Sequence, residues 1–271
     1  MTSPAAEVRI DGRPSGDALR FDRGLHYGDG LFETIDVRDG RARFLSLHSD
    51  RLARGCDRLG IECDATTVLA EAANALDGEG TLKVIVTRGD PQARGYGTTG
   101  HERARALRFW YPGAPVERAV RCDAITLTQR WGENPALAGM KHLNRLEQVL
   151  ARRELAATGA DEGLILSSTG HVVSGTMCNV FLYVDERWVT PRVDRAGIAG
   201  VMRAVVLRES ARAGLRIEET ALDESALTRV SAAFFTNARI GVSVATRLDG
   251  RPLAVPAEIE SLRAVIETLD A

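Results

Sequence analysis

Lysine is almost missing from this chain. Lys83 and Lys141 are the only two among 35 basic residues, so arginine carries nearly all of the positive charge. A guanidinium pairs readily with anions but does not readily condense with a carbonyl, whereas an amine does so once deprotonated in a shielded site. Side-chain amine chemistry therefore falls on one of two positions. Net charge is also scarce, at −2 with both signs interspersed, which gives no electrostatic case for nucleic acid or an anionic membrane. No apolar run approaches the roughly 18 residues needed to cross a bilayer. Met1-Thr2-Ser3-Pro4-Ala5-Ala6-Glu7 lacks the basic start and apolar core of a secretory signal. Four cysteines, Cys56, Cys63, Cys122 and Cys178, show neither a CxxC nor a metal-like spacing, so free thiols in a reducing cytoplasm are expected. Five scattered histidines give no metal ligand set, and no Gly-x-Ser-x-Gly elbow supports a serine nucleophile.

What is present is the composition of a soluble globular protein: 271 residues, 44% hydrophobic and 27% charged, enough for two modest domains or one large one. Leu31–Val37, Thr81–Thr87 and Arg105–Tyr111 read as strands, and Arg38-Asp39-Gly40-Arg41 as a hairpin turn. Ser46 is the expected cap of a helix carrying Leu47, Leu52, Cys56 and Leu59 and ending at Gly60. Arg103, Arg105 and Arg108 alternate like the wet face of a strand. Helices packed on antiparallel hairpins predict an α+β architecture, with Asp11-Gly12 as a first tight turn and Pro112-Gly113-Ala114-Pro115 as the linker. Beyond the linker come a strand at Val120–Thr128, a long helix at His142–Ala157 and several short strands. A helix from about Val201 to Ala213 and a closing helix at Ala257–Leu269 complete the pattern.

Lys141 follows a loop rich in small and turn-forming residues and precedes the long helix, a position equally compatible with an ordinary loop lysine. Gly197-Ile198-Ala199-Gly200-Val201-Met202-Arg203 has small residues before a helix start, where backbone N–H groups favour an anion, although an ordinary loop would look the same. Arg51, in His48-Ser49-Asp50-Arg51-Leu52, would by itself be read as part of a solvated helix face. Arg94, in Arg94-Gly95-Tyr96, would be read as a solvated loop residue, though its planar donors suit a carboxylate.

The run Lys141-His142-Leu143-Asn144-Arg145-Leu146-Glu147-Gln148-Val149 resembles the active-site segment of the aminodeoxychorismate lyase branch of the fold-type IV pyridoxal phosphate (PLP) enzymes. Branched-chain and D-amino acid aminotransferases belong to the same family. Tyr27-Gly28-Asp29-Gly30-Leu31-Phe32-Glu33-Thr34 resembles the family's N-terminal motif, and the likeness runs from about Phe21 to Val244. It implies a two-domain α+β fold: a small N-terminal α/β domain (residues 1–114) and a larger PLP-binding domain with a barrel-like β core (residues 115–271). It further implies Lys141 as the cofactor-holding catalytic lysine. Arg51, Gly200, Val201, Met202, Thr236 and Asn237 would surround the cofactor's phosphate, and Tyr27, Arg94, Asn144 and Arg145 would lie on the substrate side. The implied partners are a small-molecule substrate, 4-amino-4-deoxychorismate, and a second copy of the chain in a homodimer. The implied reaction is loss of pyruvate to give 4-aminobenzoate, with an aminotransferase activity as the alternative and a non-catalytic PLP-binding protein as a third reading. One position departs from the family. The glutamate that usually pairs with the pyridine nitrogen stands five residues before the asparagine of an Asn-hydrophobic-Phe strand; that strand here is Asn179-Val180-Phe181, and the position holds Ser174.

Overall fold

The computed structural model describes residues 7–10, 13–14, 19, 21–113 and 121–269. The turn expected at Asp11-Gly12, the Ala114-Pro115 half of the linker, Val120 and the first six residues lie outside the described residues. The chain divides into two compact units, Met1–Val116 with Met140–Asn144, and Glu117–Gly139 with Arg145–Ala271.

The first unit is built on a six-stranded antiparallel sheet. Its strands are β1 (Glu7–Ile10), β2 (Arg13–Pro14), β3 (Gly30–Arg38), β4 (Arg41–Ala42), β5 (Gly80–Thr87) and β6 (Arg105–Pro112), in the order β2-β1-β6-β5-β3-β4. Three helices accompany it: α1 (Arg23–Tyr27), α2 (Leu45–Leu59) and α3 (Ala65–Ala73). The apolar stripe of α2 puts Leu52 and Cys56 in the core. Ser46 is not its cap. Phe44 takes that place in the left-handed region (φ 52), and the helix starts at Leu45, without a side-chain cap. At the other end Gly60, also left-handed, sends its N–H back to Asp57 and Cys56, a common glycine-terminated helix end. The arginines of β6 are less solvated than their alternation suggests. Arg105 Nη1 donates to buried Asp22 at 2.6 Å and to Asp90 at 3.1 Å, and Arg108 Nε donates to the Ala72 carbonyl at 2.6 Å.

The second unit holds a nine-stranded mixed sheet, curled as a half-barrel. Its strands are β7 (Arg121–Trp131), β8 (Glu162–Ser167), β9 (Val172–Gly175), β10 (Asn179–Val184), β11 (Arg187–Pro191), β12 (Ile217–Thr220), β13 (Val230–Asn237), β14 (Gly241–Leu248) and β15 (Arg251–Pro252). The order is β12-β11-β10-β13-β14-β7-β8-β9, with β15 on β14. The pairs β11–β12, β14–β7 and β7–β8 are parallel. Near-continuous burial along β8, β9 and β10 fits strands covered on both faces. Phe181 and Phe234 stack at 4.5 Å in its core and Trp188 tilts onto Phe234 at 5.2 Å. The helices of this unit are α4 (Leu146–Ala156), α5 (Val201–Glu209) and α6 (Ala257–Thr268). α5 is shorter than expected: the chain tightens into a 3-10 turn over Ser210–Ala213, which Gly214 ends at φ 78.

The helix expected from His142 begins only at Leu146. The preceding residues instead bridge to β3: Phe32 N–H donates to the Lys141 carbonyl and Leu143 N–H to the Gly30 carbonyl, each at 3.0 Å. Backbone groups committed to that pairing are lost to helical bonding, so the ladder sets where the helix can start. Among the described residues no helix is long and apolar enough to cross a membrane.

Candidate functional site

In the first unit, β3 presents successive side chains to opposite faces, so Phe32 and Glu33 point apart. Glu33 is wholly buried and meets two residues of α2 spaced one turn apart, His48 and Arg51. Arg51 Nε donates to Glu33 Oε1 at 2.8 Å while Arg51 Nη2 donates to Oε2, forming a fork on the carboxylate. His48 Nδ1 donates to Oε2 at 2.6 Å. Burial alone would raise the Glu33 carboxyl, but the Arg51 charge and the hydrogen bonds from His48 and Arg51 outweigh it and hold it at about 2. Burial pushes His48 the other way, below its usual 6.5, so the imidazole is neutral. An ionised carboxylate only accepts, which places the single ring proton on Nδ1 and leaves Nε2 buried without a hydrogen-bond partner. Arg51 is thus buried and does not lie on a solvated helix face.

On the other face of β3, the Lys141 ammonium nitrogen lies 4.4 Å from the centre of the Phe32 ring. Lys83 Nζ stands 5.3 Å from the same ring, so both lysines of the chain share one aromatic neighbour. The β3 pairing described above fixes the Lys141 backbone. Asn144, at the end of that segment, donates from Nδ2 to the Gly28 carbonyl at 3.3 Å. Gly28 is left-handed at φ 67, and a Cβ there would come within 2.4 Å of Asn144 Oδ1, so only glycine satisfies both demands.

Tyr27 is exposed and meets Tyr96 edge-on at 5.1 Å, and Arg94 is exposed in the same loop. Sequence reasoning missed what holds that loop. Buried Arg23 donates to the carbonyls of Gly95, Tyr96 and Gly97 at 3.1–3.2 Å and to Asp29 at 2.8 Å. Arg88 also grips Asp29, and reaches the Leu59 and Gly60 carbonyls that end α2, each at 2.6 Å. Burial alone would raise the Asp29 carboxyl, but these two arginines hold it below its usual value. The signal available was Arg23, just before the glycine motif; the carbonyls it grips leave no trace in sequence.

In the second unit, Gly139 N–H donates to Gly197 O and Ala199 N–H to Gly139 O, both at 3.0 Å. Gly200 caps α5 without a side-chain hydrogen bond, and the first turn of α5 carries no acidic residue. Its leading N–H groups are therefore available to an anion, with the helix dipole favouring negative charge. The Val201 and Met202 side chains are buried, so these residues offer backbone alone. A Cβ on Gly200 would fall 2.1 Å from Asn179 Oδ1, and Asn179 Nδ2 donates to the Ile198 carbonyl at 2.8 Å. Asn179 is a residue that sequence reasoning used only as a landmark, yet it shapes the loop.

Thr236 lies opposite Asn179 across β10 and β13, fully buried, with Oγ1 donating to Gly241 O at 2.6 Å. Asn237 Oδ1 accepts from Arg239 and Ile240 N–H at 2.9 Å and so shapes the following turn. Arg203 is turned away, onto the Pro191 carbonyl at 2.9 Å and Glu219 at 2.6 Å. Ser174 is buried on β9 with Oγ donating to Gly175 O at 2.8 Å. Arg145 precedes α4, where burial, against the pull of Glu147, lowers its guanidinium to about 10. A cradle that admits no Cβ at Gly200 and an uncapped helix start suit a phosphate; an amine over an aromatic ring suits an aldehyde.

The class IV amino-transferase family model matches residues 30–248. The chain belongs to that family. Family members use PLP, which agrees with the donor set just described. An aminodeoxychorismate lyase from Vibrio harveyi is 32% identical over 86% of this chain and 88% of its own length. The crystal structure of 4-amino-4-deoxychorismate lyase from Pseudomonas aeruginosa superposes with a TM-score of 0.86 at 37% identity, covering 96% of this chain and 98% of that one. A D-alanine aminotransferase from Bacillus licheniformis is 28% identical over 86% and 83% of the two chains. The fold-type IV architecture expected from the sequence agrees with these matches.

The buried carboxylate gives a pH prediction. Glu33 is depressed in the folded chain, so its contribution to stability is complete above its unfolded value of 4.5 and is withdrawn as the pH falls towards about 2. Glu33→Ala removes the carboxylate that the Arg51 fork and His48 share and should cost about 3–5 kcal/mol at neutral pH. Denaturant unfolding at neutral pH and below pH 4.5 checks both: the gap between wild type and variant should narrow in acid. A gap that does not change with pH would mean the carboxylate is not the stabilising partner.

Proposed function

We propose that the protein is a PLP-dependent aminodeoxychorismate lyase, which removes pyruvate from 4-amino-4-deoxychorismate and leaves 4-aminobenzoate, a folate precursor. The observation that carries this reading is Lys141, a rare amine pinned by backbone pairing to β3 inside a segment that resembles the lyases. Similarity to two lyases over nearly the whole chain supports it, at higher identity than to the aminotransferase.

Lys141 Nζ would hold the cofactor's aldehyde carbon. In the second unit, the α5 N–H groups at Gly200, Val201 and Met202, with Thr236 and Asn237, would face its phosphate. Arg51 is assigned to the phosphate as well, its guanidinium oriented by Glu33. When bound, PLP would supply an electron sink for the carbon that bears the substrate amine. Lys141 Nζ would take the proton from that ring carbon and serve as the general base. The ring-to-oxygen bond would then break with its electron pair going to oxygen, the enolpyruvate would take up a proton at its methylene carbon to become pyruvate, and aromatisation of the ring would drive the step. Tyr27, Arg94, Asn144 and Arg145 are proposed to meet the substrate, the arginines through its carboxylates.

Incubating the purified protein with 4-amino-4-deoxychorismate, and separately with amino acid and keto-acid pairs, tests the reading. Equimolar pyruvate and 4-aminobenzoate should appear; keto-acid exchange without them would make the chain an aminotransferase. Borohydride reduction followed by peptide mapping should place the pyridoxyl group on Lys141, and finding it on Lys83 would sink the assignment.

A homodimer is proposed too, in the cytoplasm, where four free thiols stay reduced. Exposed Leu146, Val149 and Leu150 on α4 offer apolar surface for such an interface. Sedimentation at micromolar concentration should give the mass of two chains; a fully active monomer contradicts the proposal.

Ser174 gives the sharpest prediction of this reading. A carboxylate beside the pyridine nitrogen keeps it protonated and electron-withdrawing, whereas a hydroxyl is uncharged and can donate to a neutral nitrogen. Elimination that creates an aromatic ring has less need of a strong electron sink than transamination has. Ser174→Glu should therefore raise keto-acid exchange while the lyase reaction persists. If exchange stays at the wild-type level, the serine does not set the cofactor's electronics.

A further inference from the structure

All four cysteines are free, and two of them meet. Cys56 lies in the last turns of α2 and is 1% exposed. After Leu59 the chain reverses at left-handed Gly60, and Ile61 N–H returns to the Cys56 carbonyl at 2.9 Å. That reversal carries Cys63 back until the two thiols are hydrogen-bonded to each other. The pair is asymmetric. Cys63 is half-exposed and lines a cavity of about 370 Å³ together with Val68, Ala72, Arg103 and Arg108, while Cys56 is closed off behind it. The hydrogen bond from Cys56 favours the Cys63 thiolate and holds that thiol below its ordinary value, and the same contact pushes Cys56 up. One sulfur thus opens on the cavity, with a second, buried thiol beside it, which is the arrangement that a reacting and a resolving cysteine need. Neither residue has a part in the proposed lyase reaction, and the inference does not depend on it.

We propose that Cys63 is an oxidation site for hydroperoxides entering this cavity and that Cys56 is its resolving thiol. The Cys63 thiolate attacks one peroxide oxygen; the O–O bond breaks, an S–O bond forms, and the second oxygen leaves as hydroxide or alkoxide. Cys56 then gives up its proton as its sulfur displaces the hydroxyl of the Cys63 sulfenic acid, which leaves as water. The peroxide is reduced by two electrons and the two thiols become one disulfide. The bond would clamp the end of α2, the helix that also carries His48 and Arg51.

The full chain, first reduced and then treated with hydrogen peroxide, is mapped as peptides without reductant. A link joining the Cys56 and Cys63 peptides within one chain is expected, reversible by dithiothreitol. In Cys63→Ser that link is lost and Cys56 remains a thiol. In Cys56→Ala, Cys63 should accumulate as a sulfenic acid that dimedone traps; should that variant fail to fold, the wild-type and Cys63→Ser maps decide alone. Oxidation of Cys122 or Cys178 ahead of Cys63, or a link that forms only between chains, overturns the proposal.

Discussion

A carboxylate buried in the first unit is the constraint on which its arrangement rests. Glu33 cannot be left alone in the core, because an unpaired charge there would cost several kcal/mol. The Arg51 fork and the His48 hydrogen bond satisfy both of its oxygens, and together they fix the rotation of α2 against β3. The same strand presents Phe32 to its opposite face and gives its backbone to the Lys141 segment. One strand therefore sets two things: which way the buried guanidinium points and where the amine stands. Arg88 adds a second brace, tying the β3 entry at Asp29 to the carbonyls that end α2.

The second unit meets a different demand with the same economy of means. An anion cradle must keep its N–H groups unpaired yet hold its loop still. Asn179 does the holding through the Ile198 carbonyl, from a strand position next to Thr236, and its closeness to Gly200 excludes any larger residue there. The cationic side chain nearest in sequence, Arg203, is spent on Pro191 and Glu219. In the proposed reading, the attraction for an anion in this segment would therefore come from backbone and helix dipole.

Much of this was legible in the sequence. Pattern and composition gave the central strands of the first unit to within a residue, whereas in the second unit β7 runs three residues past its expected end at Thr128. Lysine scarcity and the flanking motif singled out Lys141. What failed has physical causes. The start of α4 was misplaced because residues 140–144 have a helix-compatible composition, and only their bridging to β3 commits their backbone elsewhere. Arg51 alone reads as solvated because its partner, Glu33, lies on a distant strand, and one-dimensional periodicity carries no record of such pairs. Arg23 escaped for a related reason: its acceptors are carbonyls of Gly95, Tyr96 and Gly97, which every residue possesses.

Ser174 is where local chemistry and family pattern part, and its surroundings narrow what can stand in for a carboxylate. The acid packed against this segment is Glu162, whose carboxyl carbon would lie 3.1 Å from a Cβ on Gly175. Its Oε1 already accepts from Gly163 N–H at 2.8 Å, Thr176 N–H at 2.9 Å and the Thr176 hydroxyl at 2.5 Å. Those bonds hold the turn after β9, and swinging Glu162 elsewhere would strand three donors in a buried place. The hydroxyl of Ser174 has more freedom. It now donates to the Gly175 carbonyl at 2.8 Å; its oxygen can still accept, and after rotation it could donate to a different acceptor. If Ser174 meets the ring nitrogen as proposed, it would tolerate a protonated or a neutral one, where a glutamate favours the protonated one. In the proposed reaction the gain of an aromatic ring supplies driving force that the cofactor need not, and that tolerance carries little cost.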